Sequence, residues 1–445
     1  MSLPPPARRV LFGNALVCTV DPAMTVFDPG YVLVEGGVIQ AVGAGRFAGT
    51  TEDTEVLDLG GDLLMPGMVN PHSHLAMTMF RGLGEDVDDR LFRYILPLER
   101  SLVSPEMVRV GVRLAALELI QGGVTTVADM YYFETEVGKV LAESGLRGVV
   151  GQTLADFNAP DQEGFDQGFA RVEELRAMFE GHPLITPSIA PHAPYSTGLE
   201  VMRQVAAYAD KTGLPVQMHL AETDGEMEWC DRHYGTRPVE LVARAGLLRE
   251  GLIAAHCLHV SPDEIPVMAA AGVGVAHNAR ANGKAGRGIA PVHAMRQAGI
   301  TVGIATDGPM SGNTLDLFSQ FAVVVQFQRI LAHTRSVMQA PEVIRMATIE
   351  GAKVLGLDKV TGSLEPGKRA DLIRIDLSAP RLHPIYDPYA ALVYAAMPGD
   401  VRDVMVDGRW LMRDREVRTL EPAQVMADAL VLAKRFKAEM VRLDG

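Results

Sequence analysis

LLMPGMVNPHSHL, residues 63–75, sets the reading of the whole chain. An apolar run ends in His72 and His74, and in an extended segment side chains at i and i+2 share one face. Two imidazoles so placed can both point at one ion. A single HxH among twelve histidines carries little weight, but three later runs also close on a metal-liking residue. VQMHLAET (216–223) brings His219, IAAHCLH (253–259) brings His256 and VGIATDG (302–308) brings Asp307. Ligands scattered over most of a chain are gathered into one cup by a strand barrel, whose functional residues lie at the C-terminal strand ends.

Working outward, apolar runs alternate with helical stretches: LLMPGMVNPH, GVTTVADMYY, GVVGQTLADF, LITPSIAPH, LPVQMHL, LIAAHC, VGVAHN and ITVGIATD. Eight such runs predict an α/β fold, a (β/α)8 TIM-like barrel over residues 65–358. MVRVGVRLAALELIQGG and GLEVMRQVAAYADKTG carry the helix spacing of apolar residues, each with a glycine stop. PEVIRMATIEGAKVLGL predicts one further helix with Pro341 at its start. Between Arg8 and Leu64, short β-rich runs separated by Gly and Asp predict a small antiparallel unit. Short strands return after the barrel, with a hairpin around Asp407-Gly408. A β-sandwich-like domain is therefore expected from 1–64 and 359–420, followed by an amphipathic packing helix over 421–445.

The chain has 445 residues, 48% hydrophobic and 22% charged, which suits a large globular core with a small accessory domain. A net charge of -14 disfavours nucleic-acid backbones and anionic membranes as partners. A small neutral or cationic ligand suits this charge better, and further copies of the chain are the other expected partner. Cys18, Cys230 and Cys257 form no CxxC, so neither a disulfide framework nor a thiolate zinc site is indicated, and a reducing cytoplasm suits them. The opening MSLPPPARRVLFGNALVCTV, broken at Gly13 and Asn14, is too poor in apolar residues for a secretory signal or a membrane span. It is expected to enter the fold as a strand.

These motifs, with PHAPYSTG before HLAE, resemble the amidohydrolase superfamily, specifically its mononuclear-metal deaminase and chlorohydrolase branch. FRGLGEDVDDRLFRYILPLE, LITPSIAPHAPYST, HLAETDGE, HCLHVSPDEI and GIAPV are most similar to aminohydrolases of methylthioadenosine, S-adenosylhomocysteine or adenosine. The resemblance implies that His72, His74, His219 and Asp307 hold the metal. It places His256 beside the metal and the substrate, with its own ligation left open. Imidazole and carboxylate donors together suit a borderline divalent ion with a position left for water, zinc first and iron second. Binuclear relatives carry a carbamylated lysine at the end of the fourth run. This chain has His192 in that region, so one metal is expected.

Glu222, three residues after His219, is placed to protonate a ring nitrogen while Asp307 takes the proton of water and His256 stabilises the developing charge. The resemblance implies that Glu99 accepts hydrogen bonds from ribose and that His192 contacts the sugar or ring. Arg147 opens a strand and is expected to be structural. Two segments depart from the adenosine-type pattern. Where relatives often have a stacking tryptophan, this chain reads DDRLFRYI, with Arg90 and Phe92 the nearest candidates. Where they commonly read HNPxSNxKLxxG, it reads HNARANGKAGRG, keeping His277, Asn282, Lys284 and Gly288 but not Ala279, Ala281, Ala285 or Arg287. This smaller, more basic loop also suits another ring, such as a pterin, guanine, cytosine or s-triazine, or a substrate with an acidic substituent. A non-catalytic scaffold is disfavoured, since no ligand is missing.

Overall fold

The computed structural model describes residues 3, 5–87, 89–156 and 159–444. Five strands open the fold: β1 (Arg9–Cys18), β2 (Val26–Glu35), β3 (Val38–Ala44), β4 (Glu55–Asp58) and β5 (Leu63–Pro66). The next eight are β6 (Met68–Asn70), β7 (Val124–Tyr131), β8 (Arg147–Leu154), β9 (Ile185–Pro191), β10 (Val216–Leu220), β11 (Leu252–His256), β12 (Gly274–His277) and β13 (Thr301–Ile304). They pair in parallel and in sequence order from β6 to β13, as a (β/α)8 barrel does. These strands are buried on both faces, which explains why they read as nearly unbroken apolar runs. The third run ends at Phe157, outside the described residues.

The barrel closes without a backbone ladder between β13 and β6. Asn70 Nδ2 instead donates to Thr306 Oγ1 at 2.8 Å, and Thr306 N–H donates to Asn70 Oδ1 at 3.2 Å. The N–H of Val69 is taken by the carbonyl of Ala347 at 2.8 Å, from a segment wedged into the seam. Gly303 and Gly351 make the wedge possible. A Cβ on Gly303 would lie 2.9 Å from the Cα of Gly351. This pairing also corrects the expectation of one helix from Pro341: helices Ala340–Met346 and Ile349–Val354 are separated by Ala347 and Thr348, whose backbone serves the seam.

The run LLMPGMVNPH likewise spans two sheets, because Leu63–Pro66 belongs to the terminal domain and the chain crosses into the barrel at Gly67. That domain is completed by β14 (Leu372–Ile375), β15 (Val401–Val406), β16 (Arg409–Arg413) and β17 (Glu416–Val417) in one nine-stranded sheet. It is mixed where the N-terminal part was expected to be antiparallel, since β4 and β5 both run parallel to β1. Its core includes Phe12, Val32, Ile39, Leu64, Leu372 and Met405. The hairpin at Asp407-Gly408 forms as β15–β16.

Arg147 locks the two parts together. Its guanidinium donates to Asp371 at 2.9 and 3.2 Å and to the carbonyl of Pro183 at 3.0 Å. The C-terminal helix Pro422–Asp444 packs Phe436 against Phe80 with ring centroids 5.0 Å apart, over the segment that follows the HxH.

Candidate metal centre and active site

The site is built on the C-terminal ends of β6, β7, β10 and β11 and just beyond β13. His72 and His74 lie past β6, and β7 orients them. His74 Nδ1 donates to the carbonyl of Met130 at 2.6 Å, while Asp129 Oδ1 accepts from Leu75 N–H at 2.5 Å and from Ser73 Oγ at 3.2 Å. His219 Nδ1 donates to the carbonyl of His192 at 2.9 Å. Each of these rings therefore turns its Nε2 inward, and the two Nε2 atoms stand 3.3 Å apart. Two lone pairs at that separation repel unless a proton or a cation lies against them.

Asp307 Oδ1 is 3.3 Å from His74 Nε2 and 3.7 Å from His72 Nε2. His72, His74 and His219 form one group with donor atoms within 4.8 Å of one another, and His72, His256 and Asp307 form a second. Buried His72 Nε2 has no hydrogen-bond partner among the described residues. Converging donors of this kind, with His72 Nε2 orphaned among them, fit one borderline divalent ion, and backbone carbonyls orient the His74 and His219 rings from behind. Ala221, His256, Cys257 and Asp307 all have positive φ, backbone strain concentrated at this cup.

Charge follows burial and neighbours. Desolvation and the surrounding imidazoles depress His219, and desolvation takes His72 down to about 4, so both offer neutral nitrogens at pH 7. His74 goes the other way: burial lowers it, but the hydrogen bond and charge of Asp307 raise it to about 9. Asp307, although desolvated, is held well below the carboxylate range by the histidines around it.

Glu222 overhangs this centre. Its Oε1 lies 3.7 Å from His256 Nε2 and is ion-paired with Arg287. Burial raises its pKa, but His256 and Arg287 outweigh burial and hold it below the ordinary value, as a carboxylate. Buried Glu226 fixes the turn beneath, accepting from the N–H groups of Ala221 at 2.9 Å and Glu222 at 2.8 Å. His256 Nδ1 is 2.8 Å from Asn282 Oδ1, so its Nε2 faces the centre. His192 contacts Ser196 Oγ through Nδ1 at 2.9 Å and packs against His219, with centroids 4.8 Å apart. Glu99, from the helix Leu96–Leu102, is buried and accepts from Tyr131 Oη at 2.7 Å. Desolvation raises it to about 7.

Thus the structure gathers His72, His74, His219, His256, Asp307, Glu222 and His192 around one centre. Neither candidate in DDRLFRYI forms an aromatic platform. Arg90 donates to the carbonyls of Leu83 at 2.7 Å and Met310 at 3.0 Å, and Phe92 is 75% exposed. Sequence reading gave no role to Asp129, Tyr131 or Glu226, although Asp129 stands near the end of a barrel run and was open to the same reasoning as Asp307. Asn282 and Arg287 were noted only as loop residues.

An amidohydrolase family model matches residues 63–411. A 5-methylthioadenosine/S-adenosylhomocysteine deaminase of Syntrophobacter fumaroxidans is 37% identical over 431 residues, 96% of this chain and 98% of its own. The crystal structure of an adenosine deaminase from Xanthomonas campestris with bound zinc superposes with a TM-score of 0.93 at 33% identity, covering 98% of this chain and 100% of that one. Atrazine chlorohydrolase of Arthrobacter aurescens, complexed with zinc, shares the fold at a TM-score of 0.87 and 22% identity, covering 95% and 100%. The match over most of the length, joined to the histidine and aspartate cluster on the strand ends, establishes that this chain belongs to the amidohydrolase family.

Proposed function

We propose that this protein is a metal-dependent hydrolytic deaminase of an aminated N-heterocycle, with an adenosine-type nucleoside as substrate and one zinc ion held by His72, His74, His219 and Asp307. The observation that carries this reading is the convergence of the His74 and His219 Nε2 atoms, 3.3 Å apart, beneath a carboxylate that faces the same space. Relatives named for methylthioadenosine, S-adenosylhomocysteine and adenosine deamination support the ring class. When bound, such an ion polarises water toward hydroxide near neutral pH.

The chain's own residues supply the proton traffic. Water adds to the carbon bearing the amine, and the proton it gives up passes to the Glu222 carboxylate and from there to the ring nitrogen. Because Glu222 starts ionised, it acts as a shuttle that gains its proton within the cycle. The remaining hydroxyl proton then passes by way of Asp307 to the amine, ammonia leaves with the C–N bonding pair, and a ring carbonyl remains. Asn282 holds His256 Nδ1, so its Nε2 can donate to the reacting oxygen only when the ring carries both protons. Glu99 and His192 line the substrate side, Glu99 as acceptor for sugar hydroxyls.

A second reading keeps the chemistry but changes the ring to a pterin, guanine, cytosine or s-triazine. The absence of an aromatic platform at Arg90 and Phe92 and the basic loop through Arg287 favour it. Three buried, free cysteines suit a reducing cytoplasm, and among the described residues no helix is long and apolar enough to cross a membrane. Ammonia release screened across purine nucleosides, pterins, pyrimidines and triazines, with metal measured in the same preparation, tests the proposal. Two metals per chain at full activity, or full activity after exhaustive chelation, would overturn it.

A further inference from the structure

We infer that Arg287 recognises an acidic group on the substrate, carried by the ring carbon that flanks the nitrogen facing Glu222; this rests on the deaminase reading above. Arg287 lies in HNARANGKAGRG, between Gly286 and Gly288, and its N–H donates to the carbonyl of Asn282 at 3.1 Å. Besides Arg280 the loop carries a further cation near the mouth of the barrel, Lys284. That one is already neutralised away from the centre, by Glu85 Oε2 at 2.6 Å, and it also donates to Asn313 at 3.1 Å. Arg287 instead turns inward, and its anionic partner is the carboxylate that the reaction uses.

The contact is one-sided. A single terminal nitrogen of Arg287 donates to Glu222 Oε1, and its other side-chain donors carry no hydrogen bond among the described residues. The Arg287 side chain is 37% exposed while that of Glu222 is 15% exposed, so the pair stands where the cup opens to solvent. An Arg fork is built for two parallel bonds to a carboxylate, and here half of that capacity is unused.

Position then limits the ligand. The oxygen that meets Arg287 is the same Oε1 that stands 3.7 Å from His256 Nε2, so the guanidinium is one carboxylate away from the reacting centre. Once a ring nitrogen engages Glu222, a neutral ring offers Arg287 no charged partner, and its free donors are left to solvent. An acid on the adjacent ring carbon replaces Glu222 on the fork. A chain of net charge -14 repels anions at long range, which makes a local cation the feature that admits one.

The test compares zinc-loaded parent protein, Arg287→Met and Arg287→Lys. Two matched probe pairs are used: adenosine with 2-carboxyadenosine, and 4-aminopyrimidine with 4-aminopyrimidine-2-carboxylate. Binding is read by calorimetry and turnover by ammonia release. The parent is expected to bind at least one carboxylated member about tenfold or more tighter than its neutral partner, with that ratio lost in Arg287→Met and partly kept in Arg287→Lys. A ratio unchanged by Arg287→Met, or no binding of either carboxylated member, overturns the inference. Ammonia from none of the four compounds and from no wider panel overturns the deaminase reading instead, and the binding ratios still decide the role of Arg287.

Discussion

Replacing Asn282 by alanine isolates what fixes His256. The two side chains meet at 2.8 Å, Nδ1 to Oδ1, and both are buried, at 1% and 2% exposure. Nδ1 therefore keeps a hydrogen, and Nε2 is the atom presented to the reaction. Truncation leaves a buried N–H unpaired, a loss of about 1–3 kcal/mol. At about 1.4 kcal/mol per factor of ten, that loss lowers kcat/KM by roughly 5- to 150-fold if it falls on the transition state. Asn282→Asp keeps an acceptor in place and should retain more activity. The assay is ammonia release, with zinc per chain measured on the same sample. We expect a reduced rate with close to one zinc retained. A parent-like rate in Asn282→Ala would refute the positioning role, and zinc lost in step with the rate would make His256 a ligand.

Glu222→Gln should keep the metal and much of the substrate affinity while kcat falls by ~10²- to 10⁴-fold, the usual contribution of an acid-base group, and turnover at the parent rate would remove Glu222 from the proton path. Burial raises Glu99 to about 7, so it gains charge as pH rises through neutrality, and kcat/KM for a nucleoside should climb through that range as the acceptor strengthens. That limb should vanish in Glu99→Gln and be absent for a free base without ribose; its persistence in the variant would assign it to another group. Arg147→Met should destabilise by about 3–5 kcal/mol in denaturant unfolding, because Asp371 is left buried without its cation. Adding Asp371→Leu should recover only part of the loss, since Asp371 also accepts from Asp407 N–H at 2.7 Å.

The barrel was legible because its strands are buried on both faces and several end on a residue that has no business in an apolar core. His219 after VQM and Asp307 after VGIAT are such endings. The packing role of Arg147 was equally legible, from its place at the start of a strand rather than at its end. What stayed hidden has a physical reason in each case. The orienting partners of His74 and His219 are the carbonyls of Met130 and His192, and a carbonyl leaves no trace in residue identity. Arg287 and Glu222 are 65 positions apart and meet because the loops after β10 and β12 overhang the same cup. Leu63–Pro66 and Met68–Asn70 read as one apolar run, although a crossing at Gly67 assigns them to different sheets.

The seam between β13 and β6 joins fold to chemistry more tightly than the motifs suggest. Asn70 and Thr306 substitute a side-chain amide for the missing ladder, and the proposed metal donors are their close neighbours in sequence: His72 and His74 follow Asn70, and Asp307 follows Thr306. Any slip at the seam would move His72 and His74 relative to Asp307, whereas His219, on β10 across the barrel, would stay with its own neighbours. Distances of 3.3 and 3.7 Å to one carboxylate oxygen leave little room for such a slip. The wedge at Ala347 and the glycine contact between Gly303 and Gly351 serve the same register, because a Cβ at Gly303 would meet the Gly351 backbone at 2.9 Å. In this chain the residues that close the barrel also fix the spacing of the proposed metal donors, so the integrity of the first and last strands is a condition of the proposed chemistry as much as of the fold.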